Sequence, residues 1–145
     1  MGNVIGAKAP VWFRVVAVLG LLWNCLGVYS YLRSVGMLGD QYAGLDPAHL
    51  ALARSIPAWL TGTFAVAVFA GLLGSLLMVI GKRLASPLLL LSLVAVIIQS
   101  VWVMFISNAQ AVEGAVALAV PACITLVAIL LVWLAAKGAS RGWLA

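Results

Sequence analysis

Four intervals of this chain contain no charged residue, and that fixes most of what it can fold into. They are residues 15–32, 55–81, 84–112 and 114–136. Each reaches the roughly 18 to 20 residues that a helix, rising about 1.5 Å per residue, needs to cross about 30 Å of hydrocarbon. Lipid offers the backbone no hydrogen bonds, so such segments must pair their own N–H and C=O groups as helices. The expected fold is all-α: an integral membrane four-helix antiparallel bundle with spans at about 11–34, 58–81, 87–107 and 114–136. Composition agrees, since 66% of residues are hydrophobic and 8% charged, where soluble domains have about 45–50% and 25%. The spans take up nearly all of residues 1–145 as a single transmembrane domain, leaving no room there for a second, soluble one.

The first apolar segment is too long for the roughly 7 to 15 apolar residues of a cleavable signal and ends in Tyr31, Leu32 and Arg33, so it is expected to stay as span one. The net charge of +5 comes from basic residues standing singly or in one pair at span edges, which speaks for topology and against a nucleic-acid partner. Lys8, Arg14, Lys82, Arg83, Lys137 and Arg141 fall on one side and only Arg33 and Arg54 on the other. The positive-inside rule then places both termini in the cytoplasm, and Asp40, Asp46 and Glu113 outside.

Pro10 suits a first helical turn, and Trp12 and Phe13 suit a membrane interface. The one sizeable polar loop, 36–57, holds a short helix at 46–55, with Asp46 as cap, Pro47 in the first turn and Leu45 and Leu50 as a staple. This helix is expected to lie on the outer surface of the bundle. The brief turn at Lys82 and Arg83 makes spans two and three antiparallel neighbours. Span three, mostly Leu, Val and Ile with Ser92, Gln99 and Ser100 as its polar points, is expected to face lipid over most of its surface. Residues 107–113 read as a short loop, and Pro121 within span four predicts a kink.

Span two carries the strongest packing signal. Thr63, Ala67, Gly71 and Ser75 recur every fourth residue, and Ala70 and Gly74 add a second small pair on the same cylinder. Small side chains in a row let another helix approach closely, so span two is expected to be the central packing helix, within the chain or across a dimer.

Few residues suggest chemistry. Asn24 and Gln99 each lie roughly 18 Å from the start of a span running in the same direction, hence at matched depth. An amide there is either interhelical glue, for which bonding to each other is one option, or part of a polar path; glue carries more weight. Cys25 and Cys123 are also at similar depth and read as small core residues rather than a redox pair. His49 stands three residues after Asp46 and reads as a surface histidine, because no further ligands accompany it for a metal. Glu113 sits at a span edge, which counts against transport driven by an intramembrane carboxylate. No nucleophile elbow, phosphate loop or paired carboxylate occurs, so neither an enzyme nor a cofactor is expected.

The stretches LLWNCLGVYSYL, PAWLTGTFAVAVFAGLLGSLL, KRLASPLLLLSLVAVIIQ and the late RGWL together resemble small four-span bacterial inner-membrane proteins, often labelled "sugar transporter" or uncharacterised membrane protein. The resemblance implies a multi-pass protein of that membrane and carries no site residue across. Two functions follow as expectations. The favoured one is a structural or accessory subunit acting through helix packing, in a homo-oligomer or larger membrane complex. The alternative is a transporter or permeation component for a small neutral solute, working as an oligomer because four short spans enclose a narrow path.

Overall fold

The structure, a computed structural model, describes residues 7–145. It is a helical bundle in order α1 (Val11–Ser34), α2 (Pro47–Arg54), α3 (Ala58–Val79), α4 (Ala85–Val101), α5 (Ala109–Glu113) and α6 (Val116–Ser140). α4 continues through a π-helical turn, Trp102–Ile106, closed by Ser107 N–H donating to the Trp102 carbonyl at 2.8 Å. With that turn included, α1, α3, α4 and α6 are long and apolar enough to cross a membrane, and the protein is a multi-pass membrane protein.

Adjacent spans pack in sequence: α1 on α3, α3 on α4, and α4 on α6. One side-chain hydrogen bond clasps each pair. Asn24 Nδ2 donates to Ser75 Oγ at 2.9 Å, joining α1 to α3. The Ser92 hydroxyl donates to the Ala67 carbonyl at 2.6 Å, joining α4 to α3. Ser100 and Thr125 share a bond of 3.0 Å between α4 and α6. Such bonds are worth about 0.6 to 2 kcal/mol each in lipid, and they also fix the register.

α3 is not the sole centre. α4 buries Leu89, Ser92, Ala95 and Val96 while packing on both α3 and α6, so it is less lipid-facing than its composition suggests. Hydropathy cannot tell an apolar face turned to a neighbour from one turned to lipid.

At one end of the bundle lie the start of α1, the α3–α4 turn and the end of α6. Gly81 and Gly142 have φ of +81° and +73°, and each ends its helix with the same motif. Lys82 N–H reaches the Leu77 carbonyl and Trp143 N–H reaches the Gly138 carbonyl, both at 2.8 Å. The reversals bring Ala145 against the α3–α4 turn, where its N–H donates to the Gly81 carbonyl at 2.7 Å and its carbonyl accepts from Arg83 N–H at 2.9 Å. Leu144 is thereby buried with Phe13, Ala17, Leu134 and Ala135, and the Trp143 ring meets Phe13 edge-on at 5.2 Å. The segment beyond the expected end of span four is thus folded: α6 runs four residues past 136, to Ser140. Lys137 remains compatible with that helix because its ammonium lies 4.7 Å from the Trp133 ring centre.

The opposite end carries the 36–57 loop. Asp46 caps α2 by accepting the His49 N–H at 2.8 Å, and Pro47 opens the helix. Residues 107–113 are not simply a loop, since Ala109–Glu113 forms a helical turn after Gln110 Nε2 ties back to the Met104 carbonyl at 2.6 Å. α4 begins at Ala85, two residues before Pro87, which sits in the first turn where a proline costs no bond.

Candidate functional site

α1 and α6, first and last in the chain, close on each other only near the end that holds the chain's C-terminus. There Gly20 faces Leu131, whose Cδ2 would lie 2.6 Å from a Cβ at that position, and Gly138 admits the Phe13 ring. Toward the loop end the two helices part and leave a groove of about 490 Å³. Its walls are Trp23, Leu26 and Gly27 of α1 and Ala119, Val120, Cys123 and Ile124 of α6, over a floor from α3 and α4 that includes Ala67, Val68, Ser92 and Val96. Leu26, Val120 and Ile124 are exposed, so the groove opens sideways between the helices, toward lipid. From Ala119 to Leu131 the α6 wall runs about 18 Å along the membrane normal at the usual helical rise.

Asn24 and Gln99 both line this groove. They are not bonded to each other: the Asn24 amide is committed to Ser75 Oγ and to the Gly20 carbonyl, each at 2.9 Å. Matched depth alone did not choose between partners. Ser75, on the small-residue row of α3, stands fully buried within hydrogen-bond reach of the amide. Gln99 is half-buried farther toward the loop end.

The row on α3 meets both neighbours at once. Ala67 offers its carbonyl to Ser92, Ser75 its hydroxyl to Asn24, and Gly71 stands one turn from each, with Asn24 and Ser92 pressed against its Cα. Gly74 faces Leu89 of α4, whose backbone nitrogen would be 3.1 Å from a Cβ there. Thr63, half-buried at the loop end of the row, turns its hydroxyl back to the Trp59 carbonyl at 2.9 Å. Pro121 is buried inside a continuous α6, and its carbonyl accepts the Thr125 hydroxyl at 2.8 Å.

The cysteines are not core residues. Cys25 and Cys123 are free and exposed, and only Cys123 belongs to the groove. An apolar neighbourhood in sequence marks membrane depth and not burial in protein, which is why they were misplaced. His49 and Asp46 do pair, at 2.9 Å, on the exposed face of α2. The His49 backbone N–H, followed by its ring, holds the Asp46 carboxyl below the usual carboxylate range. That contribution is present above the ordinary aspartate range and is lost as the pH falls through the lowered value. Among the described residues no three metal-ligating side chains come together.

Compared with known proteins, the chain matches no family model, no curated protein and no solved structure. The groove is therefore read from its own chemistry: a mostly aliphatic slot with an amide on either side.

Asn24→Leu removes the α1–α3 clasp and leaves Ser75, which is fully buried, to bond back to its own helix. We expect a loss of about 1 to 2 kcal/mol. In a double-mutant cycle with Ser75→Ala, unfolding measured in detergent micelles should show coupling of at least about 0.6 kcal/mol. Additive effects would mean that the bond does not hold α1.

Proposed function

We propose that the protein is a non-enzymatic binding protein of the bacterial inner membrane that holds a small apolar molecule in the groove between α1 and α6. The observation that carries this reading is the parting of those two helices over an aliphatic floor, at a volume within the roughly 300 to 1,000 Å³ of small-molecule sites. A transmembrane helix, about 10 to 12 Å across, is too large an occupant for that slot. A sugar or other polyhydroxyl solute suits it poorly as well, because hydroxyls facing Val, Leu and Ile without partners cost about 2 kcal/mol or more each. Transport of a small neutral solute is thus the weaker alternative unless that solute is itself apolar.

An accessory role through helix packing is also weaker than the sequence suggested. The small-residue row that would serve as an association surface is spent inside the chain, where Ala67, Gly71 and Ser75 are buried against α1 and α4. No homo-oligomer or larger complex is needed for the groove, whose two walls and floor come from one chain. In orientation, the end bearing Lys82, Arg83, Lys137 and Arg141 is cytoplasmic, so the chain's two ends lie inside and the groove widens toward the outer face of the bilayer.

Native mass spectrometry of the protein released from its own membranes in polymer discs tests the reading. We expect one apolar adduct per chain that survives removal of bulk lipid. Bare protein in a stable complex with another polypeptide would favour the accessory role instead.

A further inference from the structure

The charges of the chain separate along the bundle. Lys8, Arg14, Lys82, Arg83, Lys137 and Arg141 belong to the end formed by the start of α1, the α3–α4 turn and the end of α6. All three acids stand at the other end, Asp40 and Asp46 in the 36–57 loop and Glu113 on α5, which packs against α2. Among the described residues one ion pair forms, His49 with Asp46, so no carboxylate answers the six bases. Three of these bases gather at the seam between α1 and α6. A Cβ on Gly142 would meet the Ala7 nitrogen at 3.8 Å, and this approach brings their chain neighbours Arg141 and Lys8 together. Lys137 lies one turn before Arg141, with its ammonium 4.7 Å from the Trp133 ring centre and 5.7 Å from that of Trp12. Trp12 belongs to α1 and Trp133 to α6, so one ammonium bridges the two helices and is held in place. Both indoles are exposed, and indoles so placed collect at head-group level. Lys137, about 6 Å farther along α6 than Trp133, then stands at the depth of the phosphates.

We infer that this seam binds the head group of an anionic phospholipid, with the phosphodiester against Lys137 and Arg141, Lys8 beside it, and the acyl chains running past Trp12 and Trp133. A phosphodiester only accepts hydrogen bonds, while lysine and arginine only donate them. The arginine fork can grip two phosphate oxygens and the ammonium adds a point charge. A zwitterionic phospholipid carries the same phosphate, but it also brings an ammonium into a place with three cations and no carboxylate. Basic pockets between membrane helices are receptors of this kind for acidic head groups. A soluble phosphate has no chains to lie along the indoles. An acidic polypeptide needs bases standing clear of the bilayer, whereas Lys137 lies one turn from an interface indole. The seam is closed where the groove is open, so this site is separate and does not rest on the groove reading.

Native mass spectrometry of the full chain, in micelles doped with equal amounts of phosphatidylglycerol and phosphatidylcholine of matched chains, tests this. The first lipid retained should be phosphatidylglycerol, by about fivefold or more. Lys137→Gln with Arg141→Gln should bring the ratio close to one, with thermal unfolding in phosphatidylcholine unchanged. Arg141→Gln alone, at an exposed position past the end of α6, should already halve it. Lys82→Gln with Arg83→Gln removes the same charge from the α3–α4 turn at the same end and should leave the ratio as it was. Equal retention of the two lipids by the wild-type chain overturns the inference. An equal fall in both double variants does so too, because the preference would then belong to the diffuse charge of that end and not to the seam. Competition by glycerophosphoglycerol, the head group without its chains, assigns the seam to a soluble anion instead. An acidic polypeptide that accompanies the wild-type chain out of its own membranes, and is absent from Lys137→Gln with Arg141→Gln, likewise overturns the lipid assignment.

Discussion

Gly71→Leu should leave little correctly packed protein, with a loss of stability of about 3 kcal/mol or more. The residue faces Asn24 of α1 and Ser92 of α4, between the two bonds that tie α3 to its neighbours. A Cβ alone would press into the Asn24 amide and approach Ser92 Oγ at 3.0 Å. The rest of a leucine has nowhere to go unless both helices retreat. Overpacking of this kind costs about 1 to 3 kcal/mol, and helix separation would also break the Asn24–Ser75 and Ser92–Ala67 bonds, at about 0.6 to 2 kcal/mol each. The specificity of the effect is checked on the same helix. Gly62, where an added Cβ meets nothing within 4 Å, should accept leucine with no change in thermal unfolding. If Gly71→Leu instead unfolds at the wild-type temperature with unchanged particle size, the close crossing at Gly71 is wrong. Gly71→Ala paired with Asn24→Ala gives a finer test, since removing the amide should return part of what the methyl takes away.

The four spans were legible because a long charge-free interval runs through each, a property each helix needs for itself before it has any neighbours. The α2 cap at Asp46 was legible for the same reason: its signals are local. What lay hidden depends on helices far apart in sequence. Serine is common enough in membrane helices that Ser75, Ser92 and Ser100 do not announce which partner they will find, and depth in the membrane, counted along the sequence, matches Asn24 to Gln99 and not to Ser75. The folded tail gives no periodic signal, because Trp143 and Leu144 are too few to show one, and Lys137 looked like a span end when it stands within the helix. The groove was the least legible feature. It consists of contacts that α1 and α6 do not make, and an apolar side chain facing an open slot reads the same in sequence as one facing lipid or protein. The small-residue row marked correctly where helices cross but left open whether the crossing was internal.

Filling the groove should abolish binding without harming the fold. Ala119 and Cys123 line it from α6 with exposed side chains, so tryptophan at either position projects into the slot and not into a packed interface. The indole added at either position takes up part of the 490 Å³ left open beside the native Trp23. We therefore expect Ala119→Trp and Cys123→Trp to weaken retention of an apolar ligand by more than tenfold, or about 1.4 kcal/mol, while thermal unfolding stays close to wild type. The most direct measurement is a map of where a trace amount of photoreactive long-chain probe attaches to the wild-type protein in nanodiscs, read peptide by peptide. Attachment should concentrate in the groove, on Trp23, Leu26, Val120 and Ile124, and be lost in Ala119→Trp. Attachment spread evenly over other exposed faces, such as Phe69, Leu73 and Leu76 of α3, and unaffected by that substitution, would contradict it.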